Sequence, residues 1–135
     1  MQIITLYLVT TIVFLGIDAV MLKLVMKPLF DRHIADLYPD SLRVGPAGLF
    51  YLGYVAGLLY LVSVPALRDG QPMQAAISGA VLGLVAYGTY EFTNFATLRP
   101  WSWEQVITDT IWGGVLTGFS AWVGVVVVRT IWPAA

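Results

Sequence analysis

The chain has 135 residues, of which 59% are hydrophobic and 11% charged, against about 25% charged in soluble domains. A water-soluble fold cannot hide that much apolar surface, so the composition predicts a single all-α transmembrane domain over residues 1–135. Seven Lys and Arg against eight Asp and Glu leave no basic field for nucleic acid. With no cysteine and one histidine, disulfides, thiolate nucleophiles, iron–sulfur clusters and a multi-histidine metal site within one chain are excluded, and no cofactor is expected.

A spanning helix needs about 20 mostly apolar residues at about 1.5 Å each. The first run meeting that length covers residues 3–26. No basic residue precedes it and no small-residue cleavage site follows, so it is expected to be a retained helix rather than a signal peptide. The connection over residues 27–45 carries Leu29, Phe30, Ile34 and Leu37 at helical spacing, interleaved with Asp31, Arg32, His33, Asp36 and Asp40. It reads either as a short helix lying on the membrane interface, ended by Pro39, or as a capped polar loop in which His33 is solvated.

Three further spans follow at 47–67, 73–98 and 106–128, separated by the turns 68–72 and 99–105. Connections this short force antiparallel neighbours and an up-down four-helix bundle. Pro46, Pro72 and Pro100 stand just ahead of the spans they introduce, where a missing N–H is harmless, whereas Pro65 lies where it would kink the second span. Lys23, Lys27, Arg32, Arg43 and Arg99 gather at one end of the bundle, against Arg68 and Arg129 at the end holding both termini. The positive-inside rule then puts the termini outside and the first and third connections in the cytoplasm, with membrane lipids as the immediate surroundings. Trp101, Trp103 and Trp132 fall at span ends, the level that favours amphipathic rings.

An ionisable side chain at membrane depth costs at least about 2.5–3.5 kcal/mol on insertion scales, so the exceptions to hydrophobicity carry the information. Asp18, Glu91 and Asp109 lie in the first, third and fourth spans, roughly 12, 10 and 5 Å from the end expected to be cytoplasmic. Tyr87, Tyr90, Glu91 and Asn94 share a stripe of the third helix; Asp109, Gly113, Thr117, Ser120 and Gly124 share one of the fourth. Gly53 with Gly57, and Gly79 with Gly83, repeat the small-residue spacing of close helix contacts. Together these predict a polar pocket in the cytoplasmic half, formed by Asp18, Tyr87, Tyr90, Glu91, Asn94, Asp109 and Trp112 and roofed by Trp101, Trp103 and Trp112. Lys23, Arg43 and Arg99 are the candidates to neutralise its acids. Each feature also has a plainer reading, as packing, interfacial anchoring or a structural hydrogen bond.

The segment from Tyr87 to Leu98, YGTYEFTNFATL, is followed by Trp101 and then by Asp109-Thr110-Ile111-Trp112-Gly113-Gly114. It resembles the signature of a bacterial family of predicted membrane proteins that carries a domain-of-unknown-function label: Tyr-Asp/Glu-x-Thr-Asn-x-Ala, a Trp, then Asp-x-x-Trp-Gly. Ile17-Asp18 and the run from Gly45 to Tyr54 are similar to that family's first two helices, so the likeness covers nearly the whole chain. It implies a four-helix protein of the bacterial inner membrane, and it singles out Asp18, Glu91, Asn94, Asp109 and Trp112. It names no substrate.

Three functional readings stay open at this level. The carboxylates could bind or carry protons, a cation or another small molecule; the polar and small-residue stripes could pack an accessory subunit against a second copy or another membrane protein; or Glu91 and Asp109 could act as acid and base on a lipid or isoprenoid. The last lacks a phosphate-cradling loop, a metal cluster or an activated nucleophile.

Overall fold

The computed structural model describes residues 1–39 and 43–133, so Asp40 lies outside the described residues. Four helices are long and apolar enough to cross a membrane: α1 (Gln2–Leu37), α2 (Val44–Arg68), α3 (Pro72–Thr97) and α4 (Trp103–Ile131). No strand forms among the described residues. The α3–α4 turn around Pro100 marks one end of the bundle, and the α2–α3 turn, where Gly70 takes a positive φ of 66°, marks the other.

Prolines shape the first two helices. A proline removes its own N–H and presses its ring on the carbonyl four residues earlier; for Pro28 and Pro65 those carbonyls belong to Leu24 and Leu61. Both lie inside π-helical turns, Leu22–Met26 and Leu59–Ser63, where the widened backbone relieves the clash and bonds the N–H of Lys27 and Val64 to Leu22 and Leu59. Pro65 is thus accommodated by a π-turn, and Pro28 does the same on α1.

That second accommodation changes the reading of the connection. Instead of a separate interfacial helix or a loop, the chain from Lys27 to Leu37 continues α1 beyond the Leu22–Met26 turn. At 36 residues α1 is about 54 Å long, well over the roughly 30 Å hydrocarbon layer. Its extension docks back on the bundle: Ile34 packs with Trp101 and Val106, and Phe30 meets the Trp101 ring edge-on at 5.5 Å. Arg32 reaches Glu104 at 3.1 Å, and Lys27 pairs with Asp31 at 2.9 Å, exposed contacts of little energetic weight. His33 is half-buried, its Nε2 3.5 Å from Glu104, and not simply solvated.

The bundle is held most closely along α3 and α4, where glycines let the backbones meet. A Cβ on Gly79 would lie 3.0 Å from Gly118 Cα, one on Gly118 would lie 2.7 Å from the Ala76 carbonyl, and one on Gly83 would run into the Gly113 carbonyl. Helix α1 joins them through Thr10 and Leu6, which lie on Gly124. Leu6, Phe14, Val55, Leu58, Leu116 and Val125 complete the core, while the exposed apolar chains face the lipid.

The second helix does not follow its pattern. Val44 to Phe50 are exposed on every side, and Gly53 and Gly57 have nothing among the described residues within 4 Å of a built Cβ. The small-residue spacing there, expected to mark a close contact, meets no helix among the described residues, because α2 packs inward through the other face, with Tyr51 and Val55, and turns its glycines outward.

Candidate functional site

The close α3–α4 approach brings two of the expected acids together. Glu91 on α3 is fully buried, Asp109 on α4 is half-buried, and their carboxyl groups lie within hydrogen-bonding reach. Trp101 donates its indole N–H to Glu91 Oε1 at 2.8 Å. That donor is aimed by the α3–α4 turn: Leu98 N–H bonds back to the Asn94 carbonyl at 2.8 Å, and Trp101 N–H to the Leu98 carbonyl at 3.3 Å. Ser102 then starts α4 with a reciprocal cap, its N–H donating to Gln105 Oε1 at 2.9 Å and its Oγ accepting from Gln105 N–H at 3.3 Å. Phe30 and Tyr90 hold the indole edge-on from two sides, at 5.5 and 5.8 Å.

Asp18 enters from α1. It is buried, and Trp112 donates its indole N–H to Asp18 Oδ1 at 3.0 Å. Trp112 stands three residues past Asp109, on the same face of α4, and Asp109 is close enough to interact with Asp18 as well as Glu91. Tyr51 of α2 turns its hydroxyl to Asp18, its ring 5.9 Å from Phe14. One turn on, the Tyr54 ring stands 6.3 Å from Tyr87, and its hydroxyl shares a 2.9 Å hydrogen bond with Thr117 Oγ1.

The polar stripe of α3 divides around the helix. Glu91 points inward and Tyr87 lies over Gly113, whereas Tyr90 is exposed against Trp101 and Asn94 is half-buried within reach of Tyr90. Trp103 roofs nothing: it is 58% exposed and leans on Phe92 and Phe95, with ring centroids 6.1 and 4.4 Å away.

No Lys or Arg among the described residues forms an ion pair with Asp18, Glu91 or Asp109. Lys23, Arg43 and Arg99, expected to neutralise them, are all exposed. Lys23 follows Asp18 by five positions, which turns it roughly 140° away around the helix. Arg43 precedes the exposed first turns of α2, and Arg99 sits in the turn after α3. Indole N–H groups take the place of cations.

Tyr51, Tyr54 and Gln105 also belong to the site, outside the polar stripes that the sequence marks. The two tyrosines are three positions apart and so share a face, a signal available in the sequence but outweighed by the glycines beside them. Removing the Trp101 donor while keeping an aromatic ring, in Trp101→Phe, leaves the Glu91 carboxyl buried with one hydrogen bond fewer. The expected loss is about 1–3 kcal/mol, read as a lower unfolding temperature in detergent.

No curated protein and no solved structure is detectably similar to this chain. A family model of membrane proteins with unknown function does match, and it spans α1 to α3 and most of α4. With that match over residues 3–126, the chain belongs to the family described as Predicted membrane protein (DUF2177).

Proposed function

We propose that the protein binds and carries protons, or exchanges them for a small cation, through Asp18, Glu91 and Asp109, in a bacterial inner membrane with the Pro100 end facing the cytoplasm. One observation supports this above the rest: acids from three helices meet in an apolar bundle with indole and phenol donors around them and no cation paired to them among the described residues. Two carboxyls in contact under such conditions do not both carry charge. The Glu91/Asp109 pair is therefore a place to hold one proton and to release it. Half-buried Asp109 is its connection to the surroundings.

Reconstitution into liposomes containing a pH-sensitive dye tests this reading. Wild type should respond to an imposed proton or cation gradient and Glu91→Gln should not. Wild-type liposomes indistinguishable from empty ones would overturn the reading.

The uncovered glycine face of α2 favours a second reading, that of an accessory subunit. At Gly53 and Gly57 that face has no neighbour among the described residues, and a helix of a second copy or another membrane protein would cover it. Purification in mild detergent discriminates, since a strictly monomeric particle without partners contradicts it.

A further inference from the structure

Thr10, Ser63 and Ser120 are each 0% exposed, and none of their hydroxyls has a hydrogen-bond partner among the described residues. A helical Ser or Thr has a ready outlet in the carbonyl four residues earlier, and Thr89, Thr97 and Thr130 use it at 2.6, 2.9 and 2.8 Å. The three buried hydroxyls decline the same option. In a protein interior that choice marks a hydroxyl turned toward another partner, since an orphan costs about 1–3 kcal/mol.

They belong to three helices and to one half of the bundle. Thr10 Oγ1 lies on Gly124 of α4, one turn beyond Ser120. Ser63 closes the Leu59–Ser63 π-turn, the part of α2 that packs against α1, α3 and α4 together. Toward the carboxyls, Thr117 follows on the Ser120 face of α4 and shares its hydroxyl with Tyr54, whose ring meets Tyr87. Toward the Gly70 end, Ala66, Val125 and Val128 are buried and apolar.

We propose that Thr10, Ser63 and Ser120 bind ordered water inside the bundle, and that this water, with the Tyr54–Thr117 pair, extends the carboxyl cluster into a proton path toward the Gly70 end. The path rests on the proton-binding reading of the carboxyls; the water site does not. Water suits the site better than a metal cation does. Three neutral hydroxyls offer hydrogens as well as lone pairs, and a cation would leave every hydrogen without an acceptor, whereas water supplies both kinds of partner.

Radiolytic hydroxyl-radical labelling of the full chain in lipid nanodiscs, read by mass spectrometry, tests the site, because bound water generates radicals beside side chains that bulk solvent does not reach. Leu6 and Val125 are fully buried and are expected to be labelled in wild type and in Thr10→Ser, and to fall to background in Thr10→Val/Ser120→Ala. Background labelling in wild type overturns the water site. In liposomes the same double variant, which changes little volume, should lose proton flux severalfold. Unchanged flux in that variant, with Glu91→Gln still inactive, overturns the path and leaves the carboxyl reading standing. Absence of flux in wild type overturns the carboxyl reading and the path with it, and labelling alone then decides the water site.

Discussion

Gly83→Ala is expected to destabilise the protein by at least about 3 kcal/mol, and Gly53→Ala to leave it unchanged or more stable by about 0.5–1 kcal/mol. The two glycines sit in the same small-residue spacing, and nothing local distinguishes them. A Cβ at Gly83 would strike the Gly113 carbonyl and the Thr117 hydroxyl, and backbone on the neighbouring helix cannot rotate away as a flexible side chain can. Separation of α3 from α4 would also part Glu91 from Asp109. A Cβ at Gly53 meets nothing within 4 Å, so only the helix-favouring effect of alanine remains. Thermal unfolding in detergent followed by tryptophan fluorescence measures both, and an equal loss at the two sites would contradict the described packing. If Gly53→Ala instead dissociates an oligomer without lowering monomer stability, the glycine face of α2 is covered by another chain.

Proton uptake into liposomes is expected to fall by about a hundredfold or more in Glu91→Gln and Asp109→Asn, the scale on which a positioned proton-transfer group contributes. Asp18→Asn should also lose uptake, because Trp112 and Tyr51 gather on Asp18 from the other side. Lys23→Gln, Arg43→Gln and Arg99→Gln should leave uptake nearly unchanged, since among the described residues these exposed side chains form no ion pair with the acids. The opposite pattern, with loss on removing the bases and tolerance at the acids, would point to anion recognition at the basic end of the bundle.

The four spans were legible because membrane thickness sets a minimum apolar length that composition reveals directly. The continuation of α1 was not, since Ile34 is buried and Phe30 half-buried in a cluster with Trp101 and Val106, far along the chain, and no local pattern announces partners at that separation. The bend expected from Pro65 was half of a symmetric feature: Pro28 calls for the same π-turn but lies in a stretch read as a connection. Glycine spacing was equally clear at Gly53/Gly57 and Gly79/Gly83, and only tertiary placement separates them.

For the acids, depth could be counted along each helix, and the structure places Asp18, Glu91 and Asp109 within interacting range in one half of the bundle. Their donors were harder to read, because they depend on rotation about each helix axis and on a turn that aims Trp101 back across α3. Trp112 stands out through the Asp-x-x-Trp-Gly pattern of the resemblance; Tyr51 and Tyr54 need the packing of α2 on Phe14. The other half of the bundle buries Thr10, Ser63 and Ser120, of which Ser120 alone falls in a stripe that the sequence marks.

A length-exchange cycle on the Glu91–Asp109 contact tests most directly whether the two acids act as one proton-holding unit. Glu91→Asp, Asp109→Glu and the exchanged pair would be compared by initial rate of proton uptake in the same liposomes, with folding checked by gel filtration. Carboxyls in contact couple, so the exchanged pair is expected to keep more uptake than the product of the two single losses. Uptake equal to that product would mean that the two acids act independently, and would contradict the account.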